Sequence, residues 1–122
     1  MSNSRFPARF GATAWAIDMA RTTERGRIAA HEARRLYERD GVPTTALRPT
    51  QSEGSDGTRL PGCLKTYVPL PAGAFGMVFE VVKVDDRPLL AYLAFGVRHH
   101  PATSHKDSVY QIADRRLHRS RP

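Results

Sequence analysis

The longest apolar run in the chain, Pro88–Val97 (PLLAYLAFGV), carries apolar side chains at odd and even positions alike. A strand with one wet face alternates, so Leu89–Val97 reads as a central, covered strand and not as an edge. It is too short to be a membrane span, which takes roughly 18 apolar residues. Two further stretches, Leu64–Leu70 and Met77–Val84, share the β-branched and aromatic bias of strands. The turn Asp85–Asp86–Arg87 predicts a hairpin between the last two, with Pro88 at a strand's first position, where a missing N–H is tolerated. Pro69, Pro71 and Gly73 break the chain ahead of Phe75.

The first third has helical composition. Residues Ala12–Thr22 form one helix candidate, although a short opening strand there is an alternative, and Arg27–Asp40 forms the better one. In the latter, Ile28, Ala29, Ala33, Leu36 and Tyr37 fall on one stripe, with Arg34, Arg35, Glu38 and Arg39 off it. Gly26 separates the two as an αα-hairpin, Gly41 stands at a C′ position, and Trp15 packs between hairpin and sheet. Residues 42–62 are rich in Pro, Gly, Ser and Thr, with Gln51–Gly57 an exposed loop. After the polar loop that follows Val97, Ser108–Arg119 places Val109, Ile112, Ala113 and Leu117 at helical spacing, with Asp107 as N-cap. The order α-α-β-β-β-α predicts an α+β domain: a helical hairpin on a small antiparallel sheet of three or four strands, with helices on one face and a C-terminal helix.

At 122 residues this is one domain, with residues 1–10 and 118–122 as tails. The lone Cys63 excludes an internal disulfide and a Cys-rich zinc module. No apolar segment follows the arginines of Met1–Arg9, so the expectation is a cytoplasmic protein with no membrane partner. The net charge is +7, and the excess sits in residues 1–50 and 98–122, each at +4, around a middle at −1. Sixteen of the nineteen cations are arginine, whose planar fork suits phosphate, so a polyanion partner is expected. His31–Glu32–Ala33–Arg34–Arg35 lacks the second histidine of a zincin helix, and Gly73 and Gly76 lack the Lys-Ser/Thr of a Walker loop. His99, His100 and His105 have no metal-ligand spacing, so neither metal nor cofactor is expected.

Four segments in order do form a pattern: Arg59–Leu60–Pro61–Gly62–Cys63–Leu64–Lys65–Thr66–Tyr67, Gly76–Met77–Val78–Phe79–Glu80–Val81, Ala94–Phe95–Gly96–Val97–Arg98, and Val109–Tyr110 leading to Ala113–Asp114–Arg115–Arg116–Leu117. Together they resemble the RelE/ParE superfamily of toxins from toxin–antitoxin systems. The resemblance implies a toxin neutralised by an antitoxin protein. In the RelE branch it implies an endoribonuclease that cuts mRNA on the ribosome. In the ParE branch it implies a poison of DNA gyrase without nuclease chemistry. A third reading is a basic nucleic-acid-binding protein that keeps the fold alone.

In the nuclease branch the functional positions map onto Lys65, Arg98 and Tyr110, with Tyr67 where some relatives carry a second lysine. Gly76 stands where that branch has an arginine facing the phosphate, and eleven residues part Arg98 from Tyr110, more than is usual. Cutting RNA without a metal needs a base for the 2′-hydroxyl, cations for the phosphorane and an acid for the leaving oxygen. Lys65 and Tyr67, two apart on a strand, share one face. Arg98 offers a bidentate phosphate grip, and Tyr110 offers stacking or an acid. His99 and His100, with an ordinary pKa of about 6.5, are reserve acid/base candidates. Arg59, Arg115, Arg116 and Arg119 are candidate nucleic-acid contacts. Each residue also has an ordinary role open to it: Lys65 as an edge charge, Tyr67 and Tyr110 as packing, Arg98 paired with Asp85 or Asp86.

Overall fold

A computed structural model of the protein describes residues 4–50, 60–69, 73–98 and 108–119. Along the chain lie β1 (Arg5–Phe6), β2 (Ala8–Arg9), α1 (Ala12–Arg21), α2 (Glu24–Asp40), β3 (Val42–Pro43), a 3-10 turn (Thr44–Ala46), β4 (Arg48–Pro49), β5 (Cys63–Val68), β6 (Phe75–Val84), β7 (Arg87–Val97) and α3 (Val109–Arg119). No described helix is long and apolar enough to cross a membrane.

The class is α+β, with a sheet larger and more mixed than predicted. Five strands run in the order β2-β7-β6-β5-β4, and β1 with β3 makes a separate pair. The three expected strands are its centre; β2 and β4 extend it, and β2 runs parallel to β7. Each added strand is two residues long, too short to show a period in the sequence. Residues 5–9, expected as a tail, supply both β1 and β2. The hairpin turn is tighter than expected: Val84 pairs with Arg87, leaving Asp85 and Asp86 at φ 52° and 63°. Two successive positive φ values define the primed turn whose twist matches paired strands, and Asp tolerates it better than most residues.

Helices cover both faces of the sheet, not one. Met77, Phe79, Leu90 and Phe95 join Trp15, Met19, Ala30, Ala33 and Tyr37 of α1 and α2 in the larger core. Val78 and Ala94 face the other way, against Val109, Ile112, Ala113 and Leu117 of α3. This two-sided burial is what makes β7 apolar throughout, and it flanks β7 with β2 and β6. Trp15 sits edge-on to Phe10 and Tyr92, inside the core as predicted.

The helix boundary falls at Thr22–Thr23 and not at Gly26. Thr23 caps α2, its hydroxyl accepting from the Gly26 N–H at 3.1 Å. Gly26 lies within the first turn because that turn is crowded: a Cβ would collide with Thr22 Oγ1 and meet the Phe75 ring at 3.0 Å. The buried stripe of α2 is accordingly Gly26, Ala30, Ala33 and Tyr37, while Ile28 (63 % exposed) and Leu36 (37 %) face outward. Small residues permit close approach to the sheet, and that outweighs the greater hydrophobicity of Ile28 and Leu36. In α3 the buried residues are those predicted. Its cap is Ser108, whose Oγ accepts from the Gln111 N–H at 3.3 Å; the expected cap Asp107 and the Gln51–Gly57 loop lie outside the described residues.

Beyond Ala91 the outer edge of β7 has no strand beside it among the described residues. Asp18 of α1 and Arg116 of α3 meet across this edge. The Asp18 carboxylate accepts from Arg116 Nη1 and Nη2 at 2.8 and 2.7 Å, from the Phe95 N–H at 3.1 Å, and from the Tyr92 hydroxyl. Arg116 Nη1 also donates to the Leu93 carbonyl at 2.9 Å. A fully buried carboxylate is tolerable only with such a set of donors. The clamp joins α1, α3 and the sheet, and it satisfies edge groups that β2 does not reach.

Candidate functional site

Strand parity and register bring the predicted residues together. Lys65 and Tyr67 project from β5 toward the α3 side, since Cys63 on the same parity belongs to the core under α3. Tyr67 is paired with Gly76 of β6, and Gly76 with Gly96 of β7, so two residues without side chains lie beside it in the sheet. Tyr110, in the first turn of α3, reaches over this floor.

The site is a cluster of cations around two phenol rings. The Arg98 guanidinium lies 3.7 Å from the centroid of the Tyr67 ring, stacking distance. Its Nη1 donates to the Gly73 carbonyl at 3.0 Å, which fixes the plane of the fork. Arg98 Nε is buried and has no hydrogen-bond partner among the described residues, a cost that the stacking helps offset. Lys65 Nζ lies 5.0 Å from the Tyr110 ring centroid and 5.7 Å from that of Tyr67, bridging the two. Among the described residues no carboxylate pairs with Arg98 or Lys65, and Asp85 and Asp86 are at the opposite end of β7 from Arg98.

A fifth residue belongs here. Arg48 of β4 is the register partner of Lys65, and its guanidinium lies 5.6 Å from the Tyr67 centroid. Residues directly opposite in an antiparallel pair share a face, so Arg48 joins the cluster by strand pairing alone. The signal in the sequence is slight: one arginine before Pro49 in a stretch of turn-forming residues.

Gly76 has a positive structural reason. A Cβ there would meet Val109 Cγ1 at 3.1 Å and Arg98 Cγ at 3.3 Å, with the Tyr110 hydroxyl at 3.8 Å. The stem of Arg98 and the first turn of α3 occupy the space an arginine at 76 would need. The third cation of the cluster comes instead from Arg48 on β4, two strands away from β6 and its Gly76.

The remaining candidates are placed otherwise. Arg116 is turned inward to Asp18, which makes it a structural cation and leaves it no free fork for nucleic acid. Arg115 and Arg119 are exposed on α3. Arg59, His99 and His100 lie outside the described residues. Among the described residues no group of three or more His, Cys, Asp or Glu side chains is arranged to hold a metal ion.

Chemically, three cations without carboxylate partners among the described residues make a receptor for phosphate oxygens, and two phenols add hydroxyls and ring faces. The Tyr67 ring is engaged by Arg98, so Tyr67 acts first as the surface that orients that guanidinium. Tyr110 and Lys65 are the groups beside it that carry transferable protons. No protein-family model, curated protein or solved structure matches this chain.

Proposed function

We propose that this protein is a toxin-like endoribonuclease that cuts mRNA at the Arg48–Lys65–Tyr67–Arg98–Tyr110 cluster, acts on the ribosome, and is held in check by a cognate antitoxin protein. The observation that supports it is the convergence of Lys65, Tyr67, Arg98 and Tyr110 on one sheet face, the group that the RelE-type resemblance singled out from residues as far apart as 65 and 110. In this reading the finer architecture is that of the same superfamily: paired N-terminal helices on the sheet, with a C-terminal helix carrying the tyrosine.

The mechanism follows from what each group can supply. The 2′-hydroxyl attacks the adjacent phosphorus, the 5′-oxygen leaves, and the products are a 2′,3′-cyclic phosphate and a 5′-hydroxyl. Arg98 and Arg48 grip the phosphate oxygens and stabilise the extra charge of the phosphorane. Lys65 is the base that takes the 2′-hydroxyl proton, and the Tyr110 phenol delivers one to the leaving oxygen. The stack on Tyr67 and the bond to Gly73 hold Arg98 in one orientation before RNA arrives, which is the preorganisation that such a site requires.

The test is induction of the chain in cells with primer-extension mapping of mRNA 5′ ends, beside Arg98→Ala. The proposal predicts growth arrest and new ends within reading frames, both lost in the variant. Arrest without new ends points to a target other than mRNA and refutes the nuclease reading.

A further inference from the structure

The helix that carries Tyr110 rests on a floor with little relief. Val109, Ile112, Ala113 and Leu117 of α3 pack on Val78 and Ala94, and beside these lie the paired Gly76 and Gly96. The approach is close: a Cβ at Gly96 would meet Val109 Cα at 3.6 Å. Helix packing is fixed in rotation by ridges seated in grooves, and glycine and alanine supply almost no ridge. Apolar burial is non-directional, so it holds α3 against the sheet without setting its rotation.

Direction enters near the other end of the helix. Arg116 Nη1 and Nη2 donate to the two Asp18 carboxylate oxygens at 2.8 and 2.7 Å, and Nη1 also donates to the Leu93 carbonyl at 2.9 Å. A planar fork bonded to a carboxylate on one side and a strand carbonyl on the other has one orientation. From Tyr110 to Arg116 an α-helix advances about 9 Å and turns through about 240°. The two side chains therefore leave α3 on different flanks: Arg116 reaches the outer edge of β7, and Tyr110 reaches Lys65 of β5, its ring centroid 5.0 Å from Nζ. Side chains extend about 5–6 Å from a helix axis, so a rotation of about 20° carries a tip through about 2 Å. A misplacement of about 1 Å in a reacting group costs about a hundredfold in rate.

We infer that Asp18 and Arg116 are positioning residues for the cluster: by fixing the rotation of α3 they hold Tyr110 beside Lys65, above Gly76. Apolar side chains can replace what this buried pair contributes to stability. They cannot replace its direction. Arg48, Lys65 and Arg98 belong to the strands and not to α3, so the grip on phosphate survives loss of the fork while delivery of the proton does not. The kinetic part of this inference rests on the nuclease reading, and the placement of Tyr110 stands without it.

The test uses the full chain with 3-fluorotyrosine in place of tyrosine, the Tyr110 fluorine signal being assigned with Tyr110→Phe. Asp18→Leu, Arg116→Met, Tyr92→Phe together removes the fork and replaces it with apolar volume. Arg116→Lys keeps a charge beside Asp18 and loses the planar fork, and Tyr92→Phe alone keeps the fork. Urea unfolding establishes that each variant is folded. In both variants without the fork the Tyr110 signal should move toward its unfolded position or broaden, while that of Tyr37, on the α2 side of the sheet, stays in place. In cleavage of mRNA on programmed ribosomes, kcat should fall about tenfold or more with KM kept within about twofold. Tyr92→Phe should leave the Tyr110 signal, kcat and KM as in the wild type. An unmoved Tyr110 signal in the variants without the fork, a Tyr37 signal that moves with it, or a raised KM with undiminished kcat would overturn the proposal. A wild type that cuts no RNA refutes the nuclease reading alone, and the fluorine spectra then decide the placement by themselves.

Discussion

Asp18 is a fully buried carboxylate that accepts four hydrogen bonds, and removing it should be costly. In Asp18→Ala the Arg116 guanidinium loses both carboxylate bonds, and the Phe95 N–H and Tyr92 hydroxyl lose their acceptor. Breaking one side of a buried ion pair costs about 3–5 kcal/mol. Arg116 keeps its bond to the Leu93 carbonyl and its side chain is 19 % exposed, so part of its charge is still solvated. The lower end, about 3 kcal/mol, is therefore expected. With a urea m-value of about 1.5 kcal/mol/M, the unfolding midpoint should fall by about 2 M. The triple variant Asp18→Leu, Arg116→Met, Tyr92→Phe removes the charges and the hydroxyl together, leaving the Phe95 N–H and the Leu93 carbonyl without these partners. It should lie within about 1–2 kcal/mol of the wild type, more stable than the single variant. A cost below about 1 kcal/mol for Asp18→Ala, or a triple variant no better than the single, would refute this account of the clamp.

Alkaline pH should reveal the same network. Burial and the Asp18 carboxylate hold the Tyr92 phenol above its ordinary value, and burial, partly opposed by Thr66, does the same to Tyr37. Above pH ~10 the unfolded chain releases these protons while the folded chain keeps them, so stability is full below that pH and declines above it. The slope is about 1.4 kcal/mol per pH unit for each group, and Tyr92→Phe should remove its share in urea titrations at pH 10–11. Gly76→Ala should cost about 1–3 kcal/mol by pressing on Val109 and Arg98, and RNA cleavage should fall further than stability does. Replacing Asp85–Asp86 by Asn-Gly should raise stability by about 1 kcal/mol, measured by thermal unfolding, because both positions have positive φ.

The legible parts of the fold were those with a repeating pattern. Leu89–Val97 announced a covered central strand, and Val109, Ile112, Ala113 and Leu117 announced the buried stripe of α3. The strands β1 to β4 were illegible because two residues hold no period; their existence is a consequence of tertiary pairing. Gly26 misled because a glycine that breaks a helix and one that lets a helix touch Phe75 look alike in a sequence. In α2 the stripe was displaced because Ile28 and Leu36 outrank alanine in hydrophobicity, whereas the sheet selects for size. Within the cluster, Lys65, Arg98 and Tyr110 followed from resemblance, with Tyr67 at a position where some relatives carry a lysine, and strand parity placed Lys65 and Tyr67 on one face. Arg48 needed the β4–β5 register, and the pairing of Arg116 could not be read from α3 because its partner is Asp18, a residue near the other end of the chain.

The claim that the cation–phenol cluster cuts RNA by 2′-hydroxyl attack predicts the chemistry of the ends it leaves. The most direct measurement is sequencing of cellular RNA selected for 2′,3′-cyclic phosphate ends after induction of the wild type, Arg98→Ala and Lys65→Ala, with the folding of each variant checked by urea unfolding. The account predicts new cyclic-phosphate ends within mRNA for the wild type and their loss in both variants, which remain folded. New fragments ending in 3′-hydroxyl and 5′-phosphate, or cyclic ends undiminished in Arg98→Ala, would contradict it.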